Sequence, residues 1–356
     1  MKREILEQMM AFPLFAELNE EDLAQIAQGL HPATIPAGEY LYVQGQRADS
    51  AHFLTSGQVE VLTRLPGGGE VVIAELGAGS MLGEMSLIEA GLRTASVRAR
   101  LETTALTITR QFFQAAIAQF NVAAFRILRR IMRIMCHRLR DTHENIVRLE
   151  VMESNMPGVA ATPPIGHAAD AARGVCSFDY RSFLGLLRFF RNFEIEERDA
   201  LVALMEVMEL PRGSALFDED DQPIACYVIV RGAVEISMTR GGRKFPLMVL
   251  GPGEMCGEMA LLDERPRSIA ATIRERATLL ELRREPFRVL LNEESWLALK
   301  FQTAICENQV TDMARANRHL ARLVSHASIQ SQRIIPTVLD VEAAFGTAPD
   351  EADLRE

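Results

Sequence analysis

The chain lacks the marks of a membrane-spanning, secreted or disulfide-linked protein. No apolar run approaches the roughly 20 residues that cross a bilayer, and residues 1–7 contain no signal-peptide core. The five cysteines are scattered, odd in number and never spaced as CxxC, which supports neither a disulfide framework nor a zinc site. We therefore expect a protein of the reducing cytoplasm with no membrane segment and no metal.

The chain also lacks a surplus of positive charge. Its 38 Lys and Arg residues against 48 Asp and Glu give a net charge of −10, which argues against a broad nucleic-acid footprint. No nucleophile–base pair or metal-ligand cluster stands out, and the seven histidines form no ligand set by their spacing. The sequence thus predicts no catalytic residue, and we expect the protein not to be an enzyme.

A short segment that occurs twice is the strongest signal that is present. Gly83-Glu84 opens the first copy and Gly257-Glu258 the second, and an arginine follows each glutamate by nine positions, as Arg93 and Arg267. Similar segments surround both copies at a nearly constant offset of 174 or 175 residues, which indicates a tandem architecture. The paired segments are 35–38 with 210–213, 56–61 with 231–236, and 76–79 with 250–253.

The offset changes by one residue at a single place, and that place has the composition of a turn. Pro66-Gly67-Gly68-Gly69 faces Arg240-Gly241-Gly242 there. Since turns tolerate a change of length and strands do not, we expect a hairpin tip at this position in each repeat.

Within each repeat the pattern predicts short helices, then short strands, then a long helix. Strand composition marks 71–74 and 101–109 in the first repeat, and 226–230 and 277–282 in the second. Many short strands at regular spacing suggest a small antiparallel barrel or jelly roll. The predicted fold class is mainly β with helices (α+β): two antiparallel β-roll domains, each flanked by helices and closed by a long C-terminal helix.

Each long helix carries a heptad pattern. The first, over 120–152, places eight residues at alternating spacings of three and four, and the second, over 295–326, keeps the same rhythm with more polar members. The stripes are Phe125, Leu128, Met132, Met135, Leu139, Thr142, Ile146 and Leu149, and Leu299, Thr303, Cys306, Val310, Met313, Asn317, Leu320 and Val324. Asn317 is a candidate for fixing the register. These helices either cover their own barrels, pair within one chain as a pseudo-dimer, or pair between chains of a homodimer.

Composition also sets the expected domain boundaries. We expect a first domain over 1–152 with its long helix, and a second over 180–327 with its own. A linker rich in Pro, Gly and Ala over 153–179 is expected to be flexible, and 328–356 to form an acidic tail.

The repeated segment has the chemistry of a bipolar binding site. An arginine offers a planar, permanently charged fork that suits a phosphate, and a glutamate accepts hydrogen bonds from sugar hydroxyls. The glycine before the glutamate allows close approach of the backbone, and the first N–H groups of a following helix add donors for an anion. The alternative is a surface ion pair between the glutamate and the arginine, which would contribute about 0–1 kcal/mol.

These residues resemble the phosphate-binding cassette of the cyclic nucleotide-binding domain, which reads roughly F-G-E-[LM]-[AGS]-L-x(5)-R-[AST]-A. The two cassettes are 82–95 and 256–269, and the resemblance covers about 12–152 and 180–326. It implies a β-roll with flanking helices, cAMP or cGMP as ligand, and a C-terminal helix that covers the pocket or forms a dimer seam. No cofactor is implied besides the ligand.

The resemblance also assigns roles to individual residues. Glu84 and Glu258 would accept from the ribose 2′-hydroxyl, and Arg93 and Arg267 would pair with the cyclic phosphate. The other ligand-binding residues would be Gly83, Met85, Ser86 and Thr94 in the first site and Gly257, Met259, Ala260 and Ser268 in the second.

Two departures from the family pattern bear on the sites. Leu82 and Cys256 replace the usual aromatic residue before the glycine, at a packing position. Ile269 stands where the family has a small residue and is expected to crowd the second pocket, which makes the first site the safer prediction.

The resemblance leaves cAMP and cGMP both open. A threonine directly after the arginine resembles the pattern of cGMP-preferring kinases, and Thr94 and, more weakly, Ser268 fit it. Bacterial cAMP receptors of the family carry hydroxyl residues at the same place, and cAMP is the more frequent ligand, so cAMP is favoured.

Three functions follow from the resemblance. The first is a cyclic nucleotide sensor that rearranges its long helices to control an unidentified protein partner. The second is a DNA-associated regulator of the catabolite activator type, whose winged helix-turn-helix has about 70 residues in the family; residues 325–356 are expected to be too few and too acidic for it. The third is a scaffold with vestigial pockets, which the intact glutamate and arginine of both cassettes argue against.

Overall fold

The computed structural model describes residues 2–10, 12, 15, 18–64, 69–119, 121–153, 172–173 and 178–331. The chain divides into two compact units. The first takes in Met1–Ile131 together with the chain from Asn317 onward, and the second is Met132–Ala316. This division differs from the predicted boundary at 152, because the second part of the first long helix belongs to the second unit.

The first unit follows the predicted order of short helices, strands and a long helix. A cassette helix interrupts the strands. Its elements are α1 (Lys2–Met10), α2 (Glu20–Ala27), β1 (Leu30–Ile35), β2 (Tyr40–Tyr42), β3 (Arg47–Ala48), β4 (Ser50–Ser56), β5 (Gln58–Arg64), β6 (Glu70–Gly77), β7 (Met81–Leu82), α3 (Met85–Ile88), β8 (Gly91–Leu92), β9 (Ser96–Ala99), β10 (Thr103–Thr109), α4 (Arg110–Ala118) and the start of α5 (Val122–Glu153).

Antiparallel sheets form the body of the first unit. The strand orders are β1-β10-β4-β7 and β2-β9-β5-β6, and β3 pairs with β8. A buried apolar cluster takes residues from both four-stranded sheets, so the sheets enclose one core between them. Its members are Ile35, Leu54, Val59, Leu82, Val97, Ala99 and Ala105. The predicted strand at 71–74 is confirmed as part of β6. The one predicted at 101–109 is confirmed from Thr103 onward, where β10 begins.

The second unit repeats this plan with longer, continuous strands. After the end of α5, its elements are β11 (Ala172–Arg173), two 3₁₀ turns (Arg181–Leu186 and Arg188–Phe190), α6 (Ile195–Ala203), β12 (Glu206–Leu210), β13 (Ala215–Phe217), β14 (Ala225–Arg240), β15 (Arg243–Leu250), β16 (Met255–Cys256), α7 (Glu258–Leu262), β17 (Ala270–Arg283), α8 (Arg284–Asn292) and α9 (Trp296–Ser331).

A single antiparallel sheet of seven strands builds the second unit. Its order is β11-β12-β17-β14-β15, with β13 also on β17 and β16 on β14. The predicted strands at 226–230 and 277–282 lie in β14 and β17. The predicted hairpin tip is confirmed here, since Arg240 pairs with Arg243 around two glycines that both have positive φ. Its counterpart between β5 and β6 includes 65–68, which lie outside the described residues.

The heptad stripes are largely buried. In α5 six of the eight predicted residues are buried and two are half-buried; in α9 the numbers are four and four. Asn317 makes no hydrogen bond to any described residue through its side chain. Asn308 and Gln309 of the same helix do bond to other elements, to Met255 and to Met132. The role of Asn317 in fixing the register stays a prediction.

Within the second unit the two long helices contact each other in one chain. The Gln309 amide donates to the carbonyl of Met132 at 3.3 Å and to the Cys136 sulfur at 3.0 Å. The Thr142 hydroxyl, whose proton is directed at Arg138 O at 2.7 Å, lies 4.0 Å from the Met313 sulfur. Of the alternatives left open by the sequence, the structure thus shows pairing of helix segments within the chain; a homodimer stays a prediction.

Several predictions fall mainly outside the described residues. Of the linker at 153–179, the structure describes only Glu153, β11 and residues 178–179. The tail at 328–356 is described to Ser331, and these four residues continue α9 rather than begin a separate segment. Among the described residues, no helix combines the length and apolar character that a bilayer span requires. Four of the five cysteines are described, and these are free and buried.

Candidate functional site

Each cassette begins with a sharp turn from a short strand into a short helix. Gly83 stands between β7 and α3, and Gly257 between β16 and α7. Their φ angles are +70° and +86°, a left-handed conformation that only glycine adopts without strain. A Cβ on Gly257 would lie 2.8 Å from Nη1 of Arg267 and 3.3 Å from the Phe217 ring. The absence of a side chain at this glycine therefore leaves room for the guanidinium of the cassette arginine to pack against the turn.

Gly257→Ala is expected to lower the free energy of unfolding by about 2–3 kcal/mol. About 1–2 kcal/mol of this reflects the left-handed backbone, and the remainder reflects displacement of the buried Arg267. Gly38→Ala is the matched control, because Gly38 has the same φ of +86° and open space where its Cβ would lie. Urea unfolding of both variants measures the difference, and equal losses would show that the close approach to Arg267 has no effect.

The backbone of each cassette arginine is held by an equivalent turn. Arg93 donates its N–H to Gln46 O at 2.8 Å and accepts from Gly45 N at 2.9 Å. Arg267 donates to Asp221 O at 2.9 Å and accepts from Asp220 N at 2.8 Å. The two turns are 175 residues apart, so both repeats fix the arginine in the same way.

The guanidinium of Arg267 is buried and stacked. The residue is 2% exposed, and its guanidinium carbon lies 4.2 Å from the centroid of the Phe217 ring. Nη1 donates to Gly257 O and Nη2 to Ala225 O, and burial lowers the pKa of this group. Within the described part of the chain, Nε has no hydrogen-bond partner.

Arg93 is likewise buried and stacked on an aromatic ring in the first unit. It is 7% exposed, its guanidinium carbon lies 4.0 Å from the Tyr42 ring centroid, and Nη2 donates to Ser50 Oγ at 3.0 Å. Burial lowers the pKa of this group also. Nε and Nη1 find no acceptor among the described residues. Both arginines thus keep buried N–H donors that an anion would satisfy.

The cassette glutamates are buried as well. Glu84 and Glu258 lie at the start of the cassette helices, and burial raises the pKa of Glu258 from its ordinary value of 4.5 to about 7. The two glutamates and the two arginines are all buried, so an ion pair exposed at the surface, the alternative that the sequence left open, does not describe them.

The remaining predicted residues differ in exposure. Ser86 is buried, and its hydroxyl lies 2.6 Å from both Ser50 O and Gly83 O, so its proton is directed at the protein. Met85 is half-buried and Thr94 exposed. In the second cassette Met259 and Ala260 are buried, while Ser268 is half-buried.

A cavity opens beside the second cassette. About 450 Å³ of space, part of it open to solvent, is free of protein atoms. Ile269 is half-buried and forms part of the wall, and its predicted crowding of the site stays a prediction. The lining residues are Leu139, Arg140, His143, Phe217, Ile236, Met248, Leu250, Met255, Cys256, Gly257, Glu258, Met259, Ala260, Arg267, Ser268, Ile269 and Asp312.

Comparison with known families agrees with this geometry. Residues 32–120 and 207–294 each match the cyclic nucleotide-binding domain. The chain carries two cyclic nucleotide-binding domains. The matched ranges contain both cassettes, with their glycines, glutamates and arginines.

Regulatory proteins are among the relatives of the two domains. A CRP-like cAMP-activated global transcriptional regulator from Mycobacterium tuberculosis is 26% identical over 148 residues, which cover 42% of this chain and 63% of that protein. A cAMP-dependent protein kinase regulatory subunit from Blastocladiella emersonii is 23% identical over 267 residues, covering 75% of this chain and 53% of that protein. The chain spans less than two thirds of the length of these curated relatives.

One similar solved structure aligns with most of this chain. The regulatory domain of Toxoplasma gondii PKA, crystallised with cAMP, is 18% identical, with a TM-score of 0.31. The alignment covers 82% of this chain and 93% of that one.

Sequence reasoning missed residues that surround the two cassettes. Tyr42 and Phe217, which stack on the arginines, are 175 residues apart, so the repeat offset with an aromatic residue in both copies was the available signal. The lining residues Arg140, His143 and Asp312 carry no such signal, because they lie on long helices far from the second cassette in sequence.

Proposed function

We propose that the protein is a cytoplasmic sensor that binds a cyclic nucleotide in each domain and rearranges its long helices to control a protein partner. The observation that supports this is the pair of buried cassette arginines. Nε of each arginine, and Nη1 of Arg93 as well, has no acceptor among the described residues. A buried charge is unfavourable unless it is paired, and a cyclic phosphate would pair with it.

The rest of each cassette fits the same ligand. The buried glutamate would accept from the ribose 2′-hydroxyl, and its burial makes such a hydrogen bond stronger than one at the surface. The ring that stacks beneath each arginine holds the guanidinium in one plane, so its remaining N–H donors are oriented before the ligand arrives. Of the two nucleotides, cAMP is the first candidate and cGMP the second.

The second domain links its cassette to the last helix. Asn308 of α9 accepts from Met255 N at 3.1 Å and donates to Met255 O at 3.2 Å. Met255 belongs to β16, which leads directly into Gly257 and the cassette helix. We expect a shift of the cassette toward a bound phosphate to displace α9 through these two hydrogen bonds. Two alternative positions of α9 would then form the two-state element that a switch requires.

Calorimetric titration of the full chain with cAMP and then cGMP tests the proposal. We expect two sites, with Arg93→Ala abolishing one and Arg267→Ala the other, each by about 100-fold or more because a charge-assisted phosphate contact is removed. Arg276→Ala is the control, since Arg276 forms only an exposed ion pair with Glu209 and does not line the cavity. A folded chain that binds neither nucleotide would refute the proposal.

The helix rearrangement has its own measurement. Hydrogen exchange of α5 and α9 is expected to change on saturation with cAMP, and to stay unchanged in the Arg93→Ala, Arg267→Ala double variant. If cAMP bound without any change in the hydrogen exchange of either helix, the protein would still be a nucleotide-binding protein, but the proposed helix rearrangement would be refuted.

A further inference from the structure

The cassette accounts for only one end of the second cavity. If the proposed function holds, Arg267 takes the phosphate and Glu258 the ribose, so the purine base must lie against the rest of the wall. That wall has three sources: the strands β14 and β15, the last helix through Asp312, and the first long helix, α5. The α5 residues are Leu139, Arg140 and His143.

The contribution of α5 is unexpected from the sequence. This helix begins at Val122, directly after the first cyclic nucleotide-binding domain, and so follows the first cassette in the chain. Yet its residues from Met132 onward belong to the compact unit that contains the second cassette. Leu139 supplies an apolar surface of the kind that packs on a base, and His143 is buried beside it.

A bidentate ion pair fixes α5 to the second cassette. Arg140 Nε lies 2.8 Å from Asp263 Oδ2, and Nη2 donates to Oδ1 at 3.0 Å. The side chains are only 14% and 4% exposed, so this pair is shielded from solvent. Asp263 is the residue that ends α7, the cassette helix. One turn further along α5, Glu144 pairs with Arg240 at the end of β14.

We infer that residues 139–143 of α5 form the base-binding wall of the second site, and that the Arg140–Asp263 pair positions this wall against the cassette. The second site is then built from two separated parts of the sequence. Arg140 acts as a positioning residue: its fork is occupied by Asp263, and its role is to hold Leu139 and His143 at the cavity. This inference rests on the proposed function.

Photolabelling of the full chain tests the location of the wall. In the Arg93→Ala variant, which leaves only the second site, 8-azido-cAMP is expected to label residues within 139–143, as located by mass spectrometry. Excess cAMP should prevent the labelling. Label confined to residues 206–331 would overturn the inference while leaving the second site intact as a nucleotide site.

Substitution of the ion pair tests its positioning role. In the same Arg93→Ala background, Arg140→Ala and Asp263→Ala are each expected to weaken cAMP binding about ten-fold, within the usual range of coupling between sites. The reversed pair, Arg140→Asp with Asp263→Arg, should restore at least part of the affinity. Arg276→Ala should leave it unchanged.

The outcomes separate this inference from the proposed function. Unchanged affinity in both single variants, or no recovery in the reversed pair, would overturn the positioning role. A single variant that fails to fold would lose binding for a reason unrelated to the ion pair, so circular dichroism accompanies each titration. The labelling experiment on the Arg93→Ala chain does not use these variants and is independent of their folding. If the unmutated chain bound no nucleotide at all, the proposed function would fall and this inference with it.

Discussion

Glu258→Gln is expected to stabilise the protein at pH 8 by roughly 3 kcal/mol while weakening cAMP binding at the second site about ten- to a hundred-fold. Burial raises the pKa of Glu258 from 4.5 to about 7, and each unit of such a shift corresponds to about 1.4 kcal/mol. Above pH 7 the native protein must keep a buried carboxylate charged, whereas a glutamine carries no charge. The affinity falls because a charged acceptor of the ribose hydroxyl is lost.

The sign of the pH dependence follows from the same shift. Between pH 4.5 and about 7 the folded protein retains a proton on Glu258 that the unfolded chain has released. Stability therefore decreases as the pH rises through this window, and the contribution is fully lost above pH 7. Second-site affinity should change in the opposite direction, rising with pH as the carboxylate forms. Burial is the largest influence on the pKa of Glu258, and the nearby charge of Arg267 lowers that pKa and so opposes part of the effect.

Urea unfolding and titration between pH 5 and pH 8 measure both effects. Glu75→Gln is the control, because Glu75 forms a partly exposed pair with Arg100, whose removal should change stability by about 1 kcal/mol or less. If Glu258→Gln destabilises the protein at pH 8, hydrogen bonds or nearby charges stabilise the Glu258 carboxylate in the folded state, and its pKa is not raised as expected.

Asn308→Ala is expected to lower the free energy of unfolding by about 3 kcal/mol. The buried amide makes three hydrogen bonds: two with the backbone of Met255 and one, at 3.0 Å, with Asp312 Oδ2. Alanine would leave these buried groups without their partner, and each such group is unfavourable by about 1–3 kcal/mol. The variant also breaks the link between the last helix and the strand that enters the cassette.

Asn317→Ala provides the comparison on the same helix. Asn317 is half-buried and makes no side-chain hydrogen bond to any described residue, so alanine should change stability by no more than about 0.7 kcal/mol, through helix propensity. In titrations, Asn308→Ala should still bind cAMP but no longer transmit binding to the hydrogen exchange of α9. Equal effects of the two substitutions would show that Asn308 has no special role.

The sequence by itself determined the features that depend on local pattern. The repeated Gly-Glu-x(8)-Arg segment located both cassettes, because the turn, the short helix and the arginine are close in sequence and need a left-handed glycine at a fixed place. Strand composition indicated parts of β6, β10, β14 and β17. Heptad spacing predicted the long helices to within a few residues of Val122–Glu153 and Trp296–Ser331.

The tertiary structure alone decided which residues complete the sites. It placed Tyr42 and Phe217 beneath the arginines, and it placed α5 beside the second cassette although the chain order joins that helix to the first domain. It also placed Asn308 of α9 against the backbone of Met255, a contact that the sequence pattern did not indicate. A periodic pattern tells which face of a helix is apolar but not which distant surface that face will cover. That choice depends on shape and on the pairing of buried polar groups between segments far apart in the chain.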